Sequence, residues 1–175
     1  MSKTQIPTGG IADDAVTAAK ATGFGKVGQV VQATTSSAVN VASTSVADTG
    51  LTVNITPTAT TSKVLVQVNQ NILTDIDTNL GNSKIKLLRG TTTVIDFTTN
   101  IARVEAGSSS AVKFGNLTTF SYLDSPNTTS QVIYAPYYYK YHSDNAYLNR
   151  SIRDYQGSTY DTRCCSQLTV MEIAA

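Results

Sequence analysis

Tryptophan is absent from this 175-residue chain, histidine occurs once and cysteine twice. That inventory leaves little material for catalysis, because proton transfer, thiol chemistry and transition-metal binding draw heavily on His and Cys. Charge is scarce too: 14% of residues are Asp, Glu, Lys or Arg, well below the soluble-protein average of about 25%. Lys plus Arg number 13 against 12 Asp plus Glu, a net charge of +1. No long-range field therefore draws a nucleic acid or an anionic membrane. Apolar runs stay short, as in Val64-Leu65-Val66, far from the ~20 residues of a membrane helix. Met1-Ser2-Lys3-Thr4-Gln5 opens no secretory signal, so neither membrane insertion nor Sec export is expected.

Ser and Thr are plentiful, roughly a quarter of the chain. At roughly 150 residues per domain the length suits one core with a short appendage. Residues 1–26 form that appendage: Gly9-Gly10, Gly23 and Gly25 bracket an Ala-rich run in which Ile11, Ala15 and Ala18 recur at helical spacing. So short a helix is marginal in water. It needs its own domain, symmetry-related copies or a larger partner to dock on, or it is a disordered tail.

Residues 27–175 read as all-β. Short runs of period-two alternation are separated by Thr, Ser, Asn, Asp, Gly and Pro clusters, and no long 3.6-residue period occurs. Leu51, Val53 and Ile55 alternate with polar residues before Pro57, and Val64, Val66 and Val68 alternate with Leu65, Gln67 and Asn69. Further strands are expected at 28–33, 84–89, 92–97, 111–114, 117–123, 131–141, 147–152 and 167–173. Turns are expected at 79–82, Gly90, 107–110, 124–127 and 143–145. About ten strands in this length suggest an antiparallel β-sandwich, jelly-roll-like in architecture.

Reactive constellations are scarce in the chain. Adjacent Cys164 and Cys165 point to opposite faces of a strand and could join only through a strained ring, so two free thiols are expected. His142-Ser143-Asp144 places the residue types of a triad side by side, where they cannot aim at one another. Asp75, Asp77 and Asn79 alternate as in a calcium loop, but no Glu closes the twelfth position, and a polar hairpin tip is the simpler reading. The expectation is no catalytic residue, no metal and no cofactor.

Recognition chemistry concentrates in the tyrosines. Tyr137, Tyr139 and Tyr141 share one face of a strand, Tyr134 and Tyr138 the other, and Tyr147 follows soon after. Burying all of them would demand a partner for every hydroxyl, so one face is expected at an interface or in solvent. Tyr137, Tyr139, Tyr141 and Tyr147 are thus candidates for subunit packing or receptor contact, with a bulky amphipathic central strand as the alternative.

A linked set of motifs carries a family resemblance: Val27-Gly-Gln-Val-Val-Gln32, Gly50-Leu-Thr-Val-Asn-Ile-Thr-Pro57, Thr61-Ser-Lys-Val-Leu-Val66, Tyr122-Leu-Asp-Ser-Pro-Asn-Thr-Thr129, Leu148-Asn-Arg-Ser151 and Leu168-Thr-Val-Met-Glu-Ile173. In order and spacing they resemble a β-rich virion domain of tailed bacteriophages, especially marine and cyanobacterial ones. The resemblance implies a non-enzymatic virion structural protein of tail-fibre or receptor-binding type, assembled in the host bacterial cytoplasm. It implies a homotrimer, attached to other tail or capsid proteins through residues 1–26 and meeting a host glycan or protein. Ile11, Ala15 and Ala18 would form the trimer or docking stripe, where alanine permits close helix approach. A capsid decoration or head fibre is the alternative in the same class, and a carbohydrate-binding or polysaccharide-degrading sandwich the alternative in another.

Overall fold

Alternation carries most of the architecture. In the computed structural model, which describes residues 26–41, 46–76, 81–96, 102–104, 112–140, 146–151 and 163–174, Val64, Val66 and Val68 are fully buried while Lys63 and Gln67 face out. The described residues form twelve strands and no helix: β1 (Lys26–Thr35), β2 (Val39–Val41), β3 (Ala47–Asp48), β4 (Val53–Ile55), β5 (Lys63–Ile76), β6 (Gly81–Arg89), β7 (Thr92–Asp96), β8 (Ala102–Val104), β9 (Val112–Asp124), β10 (Val132–Lys140), β11 (Ala146–Leu148) and β12 (Ser166–Ala174). Every pairing is antiparallel.

Two six-stranded sheets result. The first is organised on β5, which pairs along its whole length with β9 on one side. On the other side β5 meets β12 and then β11, and these are flanked by β1 and β2. The second is organised on β10 and β6, with β3 and β4 beside β10 and β7 and β8 beside β6. The sheets pack face to face as a sandwich. Val66, Val68, Leu168 and Val170 from the first meet Val53, Ile55, Leu87 and Tyr134 from the second. A second cluster holds Val41, Ile72, Ile85, Tyr138, Ala146 and Leu148, and Phe120 packs against both.

Several expected boundaries move. The runs at 111–114 and 117–123 are one strand, because β5 offers an unbroken ladder from Val64 to Ile76 that carries β9 across Gly115 and Asn116. Gly81 and Asn82, expected in a turn, already pair with Val104 and Arg103, while residues 77–80 lie outside the described residues. β11 stops at Leu148 because Asn149 takes a left-handed backbone (φ 60), not at 152 as expected. β2 and β3 are too short to show a period. Gly90 (φ 58) does occupy a turn, and Asn127 (φ 53) takes a left-handed backbone in the connection between β9 and β10. Ile11, Ala15, Ala18, Tyr141, His142, Asp77 and Asn79 also lie outside the described residues.

Where one strand hands over to another, side chains complete the ladder. Beside β5, β12 ends and β11 begins around Gln70 and Asn71. There the Ser166 hydroxyl accepts from Asn71 N (3.0 Å) and Gln70 Nε2 (2.7 Å). Asn149 N donates to Asn71 O (3.3 Å), and Ser166 donates to Asn149 Oδ1. Asn149 Nδ2 reaches Ser37 O at 3.0 Å. Beside β10 the same problem arises between β4 and β3. Pro136, with no N–H to offer, falls in that gap, and the buried Thr49 hydroxyl donates to its carbonyl at 2.7 Å.

Candidate functional site

Strand β10 divides the tyrosines as its period dictates. Tyr134 and Tyr138 point inward and are fully buried; Tyr137 and Tyr139 point outward and are half-buried. The strand is central, so one face serves the core and the other lies on the outer surface of the second sheet. Cross-strand register sets Tyr137 between Asp48 and Lys86, and Lys86 next to Asp96. Tyr139 sits opposite Lys84. Lys86 Nζ and Asp96 Oδ2 form an ion pair at 2.9 Å. Val46, Lys84, Lys86, Asp96 and Tyr139 line an open hollow of about 270 Å³. An aromatic ring, an ammonium group and a charge pair that can both donate and accept suit this hollow to contact with a polar ligand or protein surface.

Tyr147 does not join this face. It belongs to β11 in the other sheet, is only 8% exposed, and lies under the Arg150 guanidinium, 4.3 Å from the ring centroid. Period two assigns a side chain to a face of its strand but says nothing about which sheet the strand joins.

The carboxylates do structural work. Tyr134 Oη donates to Asp124 Oδ2 at 2.6 Å, and Arg89 Nη1 meets the same oxygen at 2.6 Å. This ties β10 and β6 of one sheet to β9 of the other. Burial and the Asp124 bond push the Tyr134 phenol well above its ordinary range, so it stays a donor. For Arg89 burial works against the charge, but Asp124 more than offsets this and raises its pKa.

Glu172 is a fully buried carboxylate on the core face of β12. Thr58 N and Thr58 Oγ1 each donate to its Oε1 at 2.7 Å, and Gln29 Nε2 donates to its Oε2 at 2.7 Å. Burial alone would raise its pKa; the bonds from Thr58 and Gln29 outweigh this and lower it to about 2. A bulge in β1 between Val27 and Val30 makes the arrangement possible. It turns Gln29 inward, and Gly28 leaves room for the carboxylate: a Cβ there would sit 3.2 Å from Glu172 Oε2. The sequence carried a signal for this latch, since Glu172 continues the apolar spacing of Leu168 and Val170.

Among the described residues no group of three or more His, Cys, Asp or Glu is placed to hold a metal ion. Cys164 and Cys165 are both free thiols, the first half-buried and the second exposed.

No known protein family matches the chain, and no curated protein matches it. Solved structures align over most of it at low identity. The chain is similar to VP2 of infectious bursal disease virus in a subviral particle, with 11% identity, a TM-score of 0.33 and coverage of 85% of this chain and 42% of that one. Structures of the Gx and Gt strains of the same virus align at 13% and 15% identity, each with a TM-score of 0.30, covering 85% of this chain and 39% and 38% of theirs. The chain thus spans less than half the length of these structures.

Proposed function

We propose that this chain is a non-enzymatic virion structural protein of tail-fibre or receptor-binding type, a homotrimer attached to the particle through residues 1–26. The observation that carries the reading is the division of β10: Tyr134 and Tyr138 satisfy the core, while Tyr137 and Tyr139 remain half-exposed opposite Lys86 and Lys84, and Tyr139 lines a shallow hollow with both lysines. Aromatic side chains with a polar tip suit contact surfaces. The phage-like motif set supports the virion assignment. Trimeric presentation would multiply weak contacts at such a face into avidity.

The test is a particle carrying Tyr137→Ala and Tyr139→Ala. Normal folding and incorporation with at least tenfold weaker attachment to host cells is the expected result. Unchanged attachment removes the receptor role. Imaging of intact particles locates the chain: threefold density at the tail supports the fibre reading, density over the capsid surface the decoration alternative, and absence from the particle overturns both.

A further inference from the structure

Each sheet has two outer edges, and three of the four are blunted in ways that discourage a further strand. β1 begins on Lys26 and is bulged between Val27 and Val30, and β2 beyond it has three residues. β3 and β4 have two and three residues. β7 has five, is bulged against β6 and ends on Asp96, and β8 has three. The fourth edge is β9. It is 13 residues long and stays in register with β5 from Val112 to Asp124. No described strand pairs with its other side. Over Leu117-Thr-Thr-Phe-Ser-Tyr-Leu123 it has no charge, no proline and no glycine. Leu117 is 56% and Leu123 47% exposed. A long edge in continuous register, uncharged over 117–123, is a template for another strand.

The sequence of the edge says which strand fits. Reversed about Phe120, it places Leu117 opposite Leu123, Thr119 opposite Ser121 and Phe120 opposite itself, with the unlike pair Thr118 and Tyr122 between them. We propose that β9 pairs antiparallel with β9 of a second copy of this chain, about a twofold axis at Phe120. An isologous contact requires such self-complementarity.

The outer face of the sheet supports the same occupant. Val30, Met171, Leu65 and Leu123 form an apolar cross-strand row, and Gln32, Thr169, Gln67 and Ser121 form an uncharged polar row beside it. Across the axis the first row continues onto Leu117 of the second copy and the second onto Thr119. The twofold extends both rows without setting a charge against either. On the inner face, Thr118 Oγ1 is shielded from solvent and has no hydrogen-bond partner among the described residues.

Two measurements on the full-length chain test this pairing. The first is mass in solution. Light scattering is expected to give an even multiple of the 18.6 kDa chain mass, falling by half in Thr119→Lys, which sets ammonium groups from both copies beside the axis. Twice the chain mass supports the pairing and counts against the trimer; six times supports both. One or three times the chain mass, or an even multiple that Thr119→Lys leaves unchanged, overturns the pairing. The second measurement fixes the register and avoids dependence on a charged variant. With Cys164→Ser and Cys165→Ser as background, Thr119→Cys combined with Ser121→Cys is expected to give a disulfide-linked dimer on oxidation. Thr119→Cys alone is expected to give none, because its own counterpart lies too far along the partner strand. No link in the double variant, or equal linking in the single one, overturns the pairing.

Discussion

Replacing Glu172 by glutamine, Glu172→Gln, keeps the size of the side chain and removes its charge and one acceptor oxygen. Thr58 can still donate twice to the remaining oxygen, but the new amide nitrogen faces Gln29 Nε2, which now sits 2.7 Å from Oε2. Gln29 cannot escape by rotating its amide, because the same nitrogen also donates to Thr56 O at 2.6 Å. One half-buried donor therefore loses its charged acceptor, a cost of about 1–3 kcal/mol. For a chain of this size that corresponds to a fall in Tm of roughly 2–12 °C. The pH dependence is the sharper signature. The carboxylate has a pKa of about 2 in the folded chain against an ordinary 4.5. Its contribution is thus fully present above the unfolded value and lost as pH falls through the folded one. Urea unfolding followed by circular dichroism from pH 7 down to about 2.5 should show the wild-type chain more stable at neutral pH and the gap to Glu172→Gln narrowing steadily below about pH 5. A gap that is the same at every pH, or absent at pH 7, would refute the account of Glu172 as a charged latch.

Two further perturbations read the other buried polar groups. Tyr134→Phe keeps the ring in the core and removes its bond to Asp124, so it should destabilise by about 1–2 kcal/mol; in a double-mutant cycle with Asp124→Asn the two effects should fall short of additive by at least ~0.5 kcal/mol, and strict additivity would deny the contact. Asn149→Ala loses the bonds to Ser37 and Ser166 and forces a Cβ-bearing residue other than Asn into the left-handed region, about 2–4 kcal/mol together. Asn149→Gly should recover about 1 kcal/mol of that loss, and equal denaturation midpoints for the two variants would show that the backbone conformation is not the issue.

The parts of the fold that were legible in the sequence are those set by period two over several residues. The buried valines of β5 and the opposed tyrosine faces of β10 follow from alternation alone. The joining of 111–114 to 117–123 did not, because the glycine that suggests a break is overruled by the continuous partner strand. Nor did the separation of Tyr147 from Tyr137 and Tyr139, which depends on sheet membership and so on contacts distant in sequence. Asp124 reads as a turn residue and does end its strand, yet its carboxylate is buried by Arg89 and Tyr134, which approach from the other sheet. The Ser166 and Asn149 junction was invisible for a related reason: it exists only where β12 and β11 meet end to end against β5.

The placement of β12 also governs when the fold can close. β1 pairs only with β12 among the described strands, so residues 26–35 have no ladder partner until residues 166–174 have been made. Roughly 130 residues separate them, which at about 5–20 residues per second is on the order of ten seconds of synthesis. In the finished sheet β12 lies between β1 and β5, so Val27, Val30 and Val31 have no strand beside them until β12 has been made. A chain cut short before Ser166 would therefore lack both the strand that pairs with β1 and the carboxylate that holds Gln29.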